Sequence, residues 1–203
     1  MLLLLYLIAI TAEAMTGALS AGRRGMDWFG VVLIACVTAL GGGSARDVLL
    51  GHYPLTWVKH PEYLVLTSVA ALVTIFIAPL MRHLRSLFLV LDALGLVAFT
   101  LIGCQTALEL GHDMLVASIS GMITGVFGGI LRDILCNDIP LIFRRELYAS
   151  VSFASAWCFL LCNHLQLPVE QSVLITLFGG FLLRLLAIRF HWEMPKFVYN
   201  DER

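Results

Sequence analysis

The chain has 203 residues, 60% of them hydrophobic and 13% charged, with a mean hydropathy of +0.91. That is far too apolar for an ordinary soluble domain and sets the class as an integral membrane protein. The formal net charge of −1, without a clustered basic face, gives no footing for nucleic acid.

Cutting the apolar runs where charge, Pro and Gly interrupt them predicts seven spans, over 2–21, 28–50, 63–81, 87–108, 113–137, 147–165 and 168–189. Residues 1–203 therefore read as one all-α transmembrane domain with short connections. The first run resembles a secretory leader, but it has no basic n-region and Glu13 interrupts its apolar core, so it reads as a transmembrane helix. The second holds Gly41, Gly42 and Gly43 near its middle, followed by Arg46 and Asp47. Asp92 lies early in the fourth. The fifth holds Gly128 and Gly129, then Arg132 and Asp133. Trp28, Trp57 and Trp192, near span ends, read as interfacial anchors.

Loop charge orients the spans. Arg23, Arg24, Arg82, Arg85, Arg144, Arg145, Arg184, Arg189, Lys196 and Arg203 fall on one side, and only Lys59 on the other. The positive-inside rule makes the crowded side cytoplasmic, with the N-terminus outside and the C-terminus inside a cell (inner) membrane.

The chain also repeats itself. Shifted by 86 positions, it matches Gly17 with Gly103, Asp27 with Asp113, Thr38 with Thr124, Gly42-Gly43 with Gly128-Gly129, Arg46-Asp47 with Arg132-Asp133, and Pro54 with Pro140. Twelve identities fall between 17–55 and 103–141, and apolar composition alone does not produce matches at Arg, Asp, Pro and paired Gly. The units are about 1–82 and 87–166, with a seventh helix at about 168–189. Three spans per unit is an odd number, so the second copy enters the membrane from the opposite side. Such 3+3 inverted repeats characterise proteins that move small solutes along a path near the midplane.

Consecutive glycines weaken a helix and permit a kink that exposes carbonyls to such a path, although small residues also serve close helix packing. Arg46 and Arg132 would then lie on opposite sides of its centre, or snorkel to the interfaces. Adjacent helix positions do not face each other, so Asp47 and Asp133 are expected to seek partners other than the neighbouring arginines. Glu13 and Asp92 need a wet cavity, an arginine or a proton.

Nothing indicates an enzyme: no triad, phosphate loop or redox centre is present, and no His or Cys is expected beside a buried acid. Cys36, Cys104, Cys136, Cys158 and Cys162 read as small buried hydrophobes, and no metal-ligand spacing occurs.

Gly41-Gly42-Gly43-x-x-Arg46-Asp47 followed by Pro54, then Leu91-Asp92-Ala93-Leu94-Gly95, and the second Gly128-Gly129-x-x-Arg132-Asp133 with Ile139-Pro140, resembles the prokaryotic trimeric intracellular cation (TRIC) channels. These share a duplicated domain also described as a glycine-transporter domain. The resemblance implies a homotrimer in the lipid bilayer, with a pore in each subunit kinked at the glycine motifs. It implies permeation of monovalent cations, potassium before sodium, with no cofactor. The pore residues it implies are Gly41, Gly42, Gly43, Arg46, Asp47, Gly128, Gly129, Arg132 and Asp133. Phe127 stands where a full second triple glycine would place Gly. Two rivals are a secondary transporter of glycine or another small zwitterion, and a non-conducting membrane scaffold.

Overall fold

The computed structural model describes residues 1–80, 84–143 and 147–195. Within them the chain is helical throughout: α1 (Leu2–Arg23), α2 (Trp28–Leu49), the short α3 (Thr56–Lys59), α4 (Glu62–Ile77), α5 (Leu84–Glu109), α6 (Met114–Leu135), α7 (Ala149–His164) and α8 (Val169–Phe190). Single 3₁₀ turns follow α4 at Ala78–Leu80 and precede α7 at Leu141–Phe143.

Among the described residues, six helices are long and apolar enough to cross a membrane: α1, α2, α4 with its 3₁₀ extension, α5, α6 and α8. The remaining expected span, the sixth at 147–165, is a helix of 16 residues. That is roughly 24 Å at 1.5 Å per residue, short of a hydrocarbon core of about 30 Å. Large apolar side chains such as Phe29 and Phe178 are exposed on the outer helix faces, as a lipid environment requires. Of the basic residues that orient the chain in sequence, Arg82, Arg144, Arg145, Lys196 and Arg203 lie outside the described residues.

Local structure repeats with the sequence. Asp27 and Asp113 cap α2 and α6, accepting from the N–H of Gly30 at 2.7 Å and of Val116 at 2.8 Å. Such a carboxylate satisfies amide groups that the first helical turn leaves without partners. Two residues before each cap, Gly25 (φ +67°) and Gly111 (φ +83°) turn the chain through the left-handed region, which L side chains rarely adopt.

Packing depends on small residues where backbones cross. Ala9, Ala14, Ala35, Ala98 and Cys104 are buried between the helices. A Cβ on Gly17 would meet Ala35 Cα and Thr38 Oγ1 of α2, each at 2.7 Å; one on Gly103 would run into the corresponding Gly121 and Thr124 of α6. At the centre, α2 and α6 cross directly. A Cβ on Gly42 would collide with the Thr124 carbonyl oxygen, and one on Gly128 with the Thr38 carbonyl oxygen. Because 42 meets 124 while 38 meets 128, the two helices run antiparallel at this contact. With α1 and α5 packed alongside, they form the centre of the molecule; α4 lies against α1 and α2, and α7 against α5 and α6. α8 packs on α5 and α7.

The helical ladder is not interrupted at the glycine runs. α2 stays helical through Gly41, Gly42 and Gly43, and α6 through Gly128 and Gly129. In an apolar surrounding an opened helical turn leaves amide groups without partners, whereas close backbone contact keeps the hydrogen-bond ladder intact.

Gly42→Ala and Gly128→Ala should each cost about 1–3 kcal/mol by overpacking, read as a lower midpoint of thermal unfolding in detergent. Gly179→Ala, where a Cβ meets nothing within 4 Å, should leave that midpoint unchanged or raise it.

Candidate functional site

Arg46 and Arg132 organise two charged centres on α2 and α6. Each lies six residues from the middle of the helix crossing, on opposite sides of it, and so they are separated by roughly 18 Å along the helix direction at 1.5 Å per residue. Arg46 is 3% exposed and Arg132 fully buried, so neither snorkels to an interface.

At the first centre, Arg46 donates from Nε and Nη2 to Oδ1 of Asp47, at 2.9 and 2.7 Å. Nη2 also donates to Thr56 Oγ1 at 3.1 Å. The second oxygen of Asp47 accepts from the Thr56 N–H at 2.8 Å and the Thr56 hydroxyl at 2.7 Å, which holds the loop after Pro54 onto the end of α2. His52 Nδ1 stands 3.1 Å from Asp47 Oδ1. Tyr6 packs edge-on to Tyr63, with ring centroids 4.9 Å apart, and against Phe99 at 6.2 Å. The centre opens on a cleft of about 310 Å³, bordered by Tyr6, Arg46, His52, Thr56, His60 and Gln105 among others.

At the second centre, Arg132 Nε donates to Asp133 Oδ1 at 2.8 Å. Its Nη1 donates to Asp92 Oδ1 at 2.7 Å and to Thr16 Oγ1 at 3.1 Å, and lies 3.8 Å from Glu13 Oε2. The Thr16 hydroxyl in turn donates to Glu13 Oε2 at 2.9 Å. The second oxygen of Asp133 accepts from the Leu141 N–H at 2.9 Å, so the loop after Pro140 is held as the loop after Pro54 is. The Phe88 ring meets two guanidiniums, with its centroid 4.6 Å from that of Arg132 and 4.7 Å from that of Arg23. Phe88, Leu19, Leu141 and Tyr148 form the apolar layer beside this centre.

Two sequence expectations are corrected here. Asp47 and Asp133 do pair with the arginines immediately before them, because a long guanidinium side chain curls round the last helical turns to reach the neighbouring carboxylate. The rule that adjacent positions diverge holds for side chains too short to do this. A histidine, His52, does stand beside a buried acid. The structure brings Glu13, Asp92, Arg132 and Asp133 together and leaves Arg46 and Asp47 as a separate pair. Of the glycines, Gly41 faces Leu131, Gly42 and Gly128 form the crossing, and Gly43 and Gly129 lie nearest the guanidiniums of Arg46 and Arg132.

Sequence reasoning missed Thr16, Thr56, Phe88 and Tyr148, ordinary residues made notable only by tertiary contact. It also misplaced Arg184, sorted with the cytoplasmic tail. Arg184 is fully buried in α8, 4.9 Å over the Tyr148 ring, with Nη1 3.5 Å from the Leu147 carbonyl oxygen. Its place six residues before the end of α8 is nearly two turns into the helix, and that was the available signal. Among the described residues no group of three or more His, Cys, Asp or Glu is arranged to hold a metal ion.

A family model described as glycine transporter matches the chain twice, over residues 3–79 and 89–164. The inner membrane protein YadS of Escherichia coli K12, of the UPF0126 group, is 38% identical over 197 residues, covering 96% of this chain and 95% of that one. A UPF0126 membrane protein of Vibrio cholerae is 38% identical over 199 residues, 96% of this chain and 83% of its own. Among solved structures, the TRIC trimeric intracellular cation channel orthologue of Rhodobacter sphaeroides superposes with a TM-score of 0.91 at 35% identity, over 94% of this chain and 98% of that one. A prokaryotic TRIC channel crystallised in 0.5 M KCl superposes at 0.88 with 29% identity, over 95% and 98%. A TRIC channel from C. elegans, at 12% identity and a TM-score of 0.64, shares the fold.

Breaking the first pair alone leaves a buried guanidinium uncompensated, at a cost of about 3–5 kcal/mol. Asp47→Asn should therefore lower the unfolding midpoint more than the double change Arg46→Met with Asp47→Leu, which removes both charges. Equal or greater loss in the double variant would contradict the pairing.

Proposed function

The chain belongs to the glycine transporter family matched above, and on that premise we propose that it is a cation channel rather than a carrier. The observation that carries this reading is the pair of buried arginine–carboxylate centres on antiparallel α2 and α6, one on each side of a glycine crossing. A scaffold has no use for charges held this deep, since each must be offset by a partner to be tolerated. The solved relatives at 35% and 29% identity, both TRIC channels, support conduction over carriage.

In this reading the chain is a 3+3 inverted repeat with a seventh helix. The first unit, about 1–82, comprises α1, α2 and α4; the second, about 87–166, comprises α5, α6 and α7; α8 stands outside both. α7 completes the second unit as a short span, accommodated by local thinning of the bilayer. The two matches to the family model, the paired helix caps and the reciprocal glycine contacts support this arrangement. Each subunit of a homotrimer carries its own pore among α1, α2, α5 and α6, with the N-terminus outside the inner membrane and the C-terminus in the cytoplasm. Gly41, Gly42, Gly43, Gly128 and Gly129 are the points at which α2 and α6 can bend. Arg46, Asp47, Arg132, Asp133, Glu13 and Asp92 are its charged lining.

A fixed positive charge repels a permeant cation. Here the repulsion is offset at the source, because Arg46 is paired with Asp47 and Arg132 with Asp133. Water in the cleft beside Arg46 would keep the ion hydrated on approach. Monovalent cations, potassium before sodium, suit a site with no dense ligand cluster, as divalent ions demand more oxygen ligands.

Purified protein reconstituted in planar bilayers should carry a cation current that Arg46→Gln and Arg132→Gln each change in conductance or gating. Saturable uptake of radiolabelled glycine without current would favour the carrier. Wild-type currents in both arginine variants would reject these centres as pore elements.

A further inference from the structure

The two centres are built alike but not charged alike. Each arginine pairs with the aspartate that follows it, and each aspartate holds a loop N–H with its second oxygen. At Arg46 that aspartate is the only carboxylate in contact with the guanidinium among the described residues, and the pair is neutral. At Arg132 two more carboxylates, Glu13 and Asp92, converge on the same Nη1. The 86-residue shift places Tyr6 at the position equivalent to Asp92 and Phe99 at that equivalent to Glu13. These are the two rings packed together beside the first centre. Neutralising the arginine therefore does not require Glu13 or Asp92, since the first centre manages with one aspartate.

The protein satisfies these surplus acids only in part: Glu13 accepts from the Thr16 hydroxyl, but Asp92 is left with an open oxygen. Asp92 is 1% exposed, and its Oδ2 has no hydrogen-bond partner, while on the other side of the ion pair Arg132 Nη2 also has none. A buried carboxylate oxygen without a donor carries a desolvation cost that an occupant would relieve. Room for the second acid is built into α5. The Glu13 carboxylate lies against Gly95, where any Cβ would collide with it, and the equivalent position in the first half is Ala9, which carries that Cβ and is fully buried.

We propose that Glu13 and the free oxygen of Asp92 form a binding site for one permeant monovalent cation, and that this one-sided site makes the pathway select cations over anions. The proposal rests on the channel reading above. Two carboxylates and a threonine hydroxyl are too few ligands for a tightly held metal ion, which suits an ion that must also leave. Phe99 and Tyr6 make the other half neutral, so discrimination by charge resides at the Arg132 end alone.

The test is bilayer recording in a KCl gradient with wild type, Glu13→Gln, Asp92→Asn and Gly95→Ala, each checked for unchanged oligomeric size in detergent. Wild type should reverse close to the potassium equilibrium potential. Each of the first two variants should move the reversal potential toward zero, with a several-fold loss of potassium-over-chloride preference, and Glu13→Asp should restore part of it. Gly95→Ala, which displaces the Glu13 carboxylate without removing a charge, should shift it in the same direction. A wild type that passes no current would reject the channel itself. A conducting wild type whose selectivity survives in both Glu13→Gln and Asp92→Asn would overturn the site while leaving the channel standing. Should those variants fail to assemble, wild-type melting decides: a higher midpoint in KCl than in N-methylglucamine chloride of equal ionic strength supports the site. A midpoint that follows pH but not potassium would mean that protons only occupy these acids, and would overturn it.

Discussion

A guanidinium inside an apolar helical bundle cannot stand alone, and the rest of this structure follows from how that constraint is met. Arg46 and Arg132 are held by the aspartates next to them in the chain, and each aspartate reaches on to the loop that follows its helix. One carboxylate thus closes the end of a helix, neutralises a charge and anchors a proline-containing loop. Removing either partner leaves a desolvated charge, the most costly state open to such a pair. At the second centre the same requirement draws α1 and α5 in, since Glu13, Thr16 and Asp92 all meet Arg132.

The pairing works only because the helices come close enough. Glycine at positions 42 and 128 lets α2 and α6 touch backbone to backbone, and Gly17 and Gly103 do the same for α1 on α2 and α5 on α6. The duplicated motif therefore encodes two linked things, a crossing and a charged centre about a turn and a half beyond it. The departures from symmetry are equally ordered. Tyr6 and Phe99 fill with rings what Asp92 and Glu13 fill with charge. One centre faces a cleft with His52, while the other lies beside Phe88, Leu141 and Tyr148.

Much of this was legible in the sequence, because hydropathy, charge spacing and an 86-residue self-match are properties of the chain itself. The helices begin and end within a few residues of the expected spans. The residues singled out for chemistry, Glu13, Arg46, Asp47, Asp92, Arg132 and Asp133, are all buried. What was not legible depended on side-chain reach and tertiary contact. The adjacent Arg–Asp pairs defy a rule framed for short side chains. The uninterrupted glycine segments show that a residue permitting a break also permits a tight crossing, and the neighbour decides between them. Arg184 groups with the cytoplasmic side in sequence because it lies in the last two turns of its span, and its stacking on Tyr148 depends on a residue distant in sequence. His52 reaches Asp47 only because the chain turns back after α2.

The proposed channel needs a hydrated passage between the two halves past the charged centres, and water access along α1 measures whether one exists. With Cys36, Cys104, Cys136, Cys158 and Cys162 replaced, single cysteines at Tyr6, Thr16 and, as a control, fully buried Ala71 of α4 can be probed with a small cationic thiol reagent in proteoliposomes. With such a passage, positions 6 and 16 should be modified and position 71 protected. Protection at position 16 equal to that at 71 would mean the Arg132 centre is dry and would contradict the proposed channel.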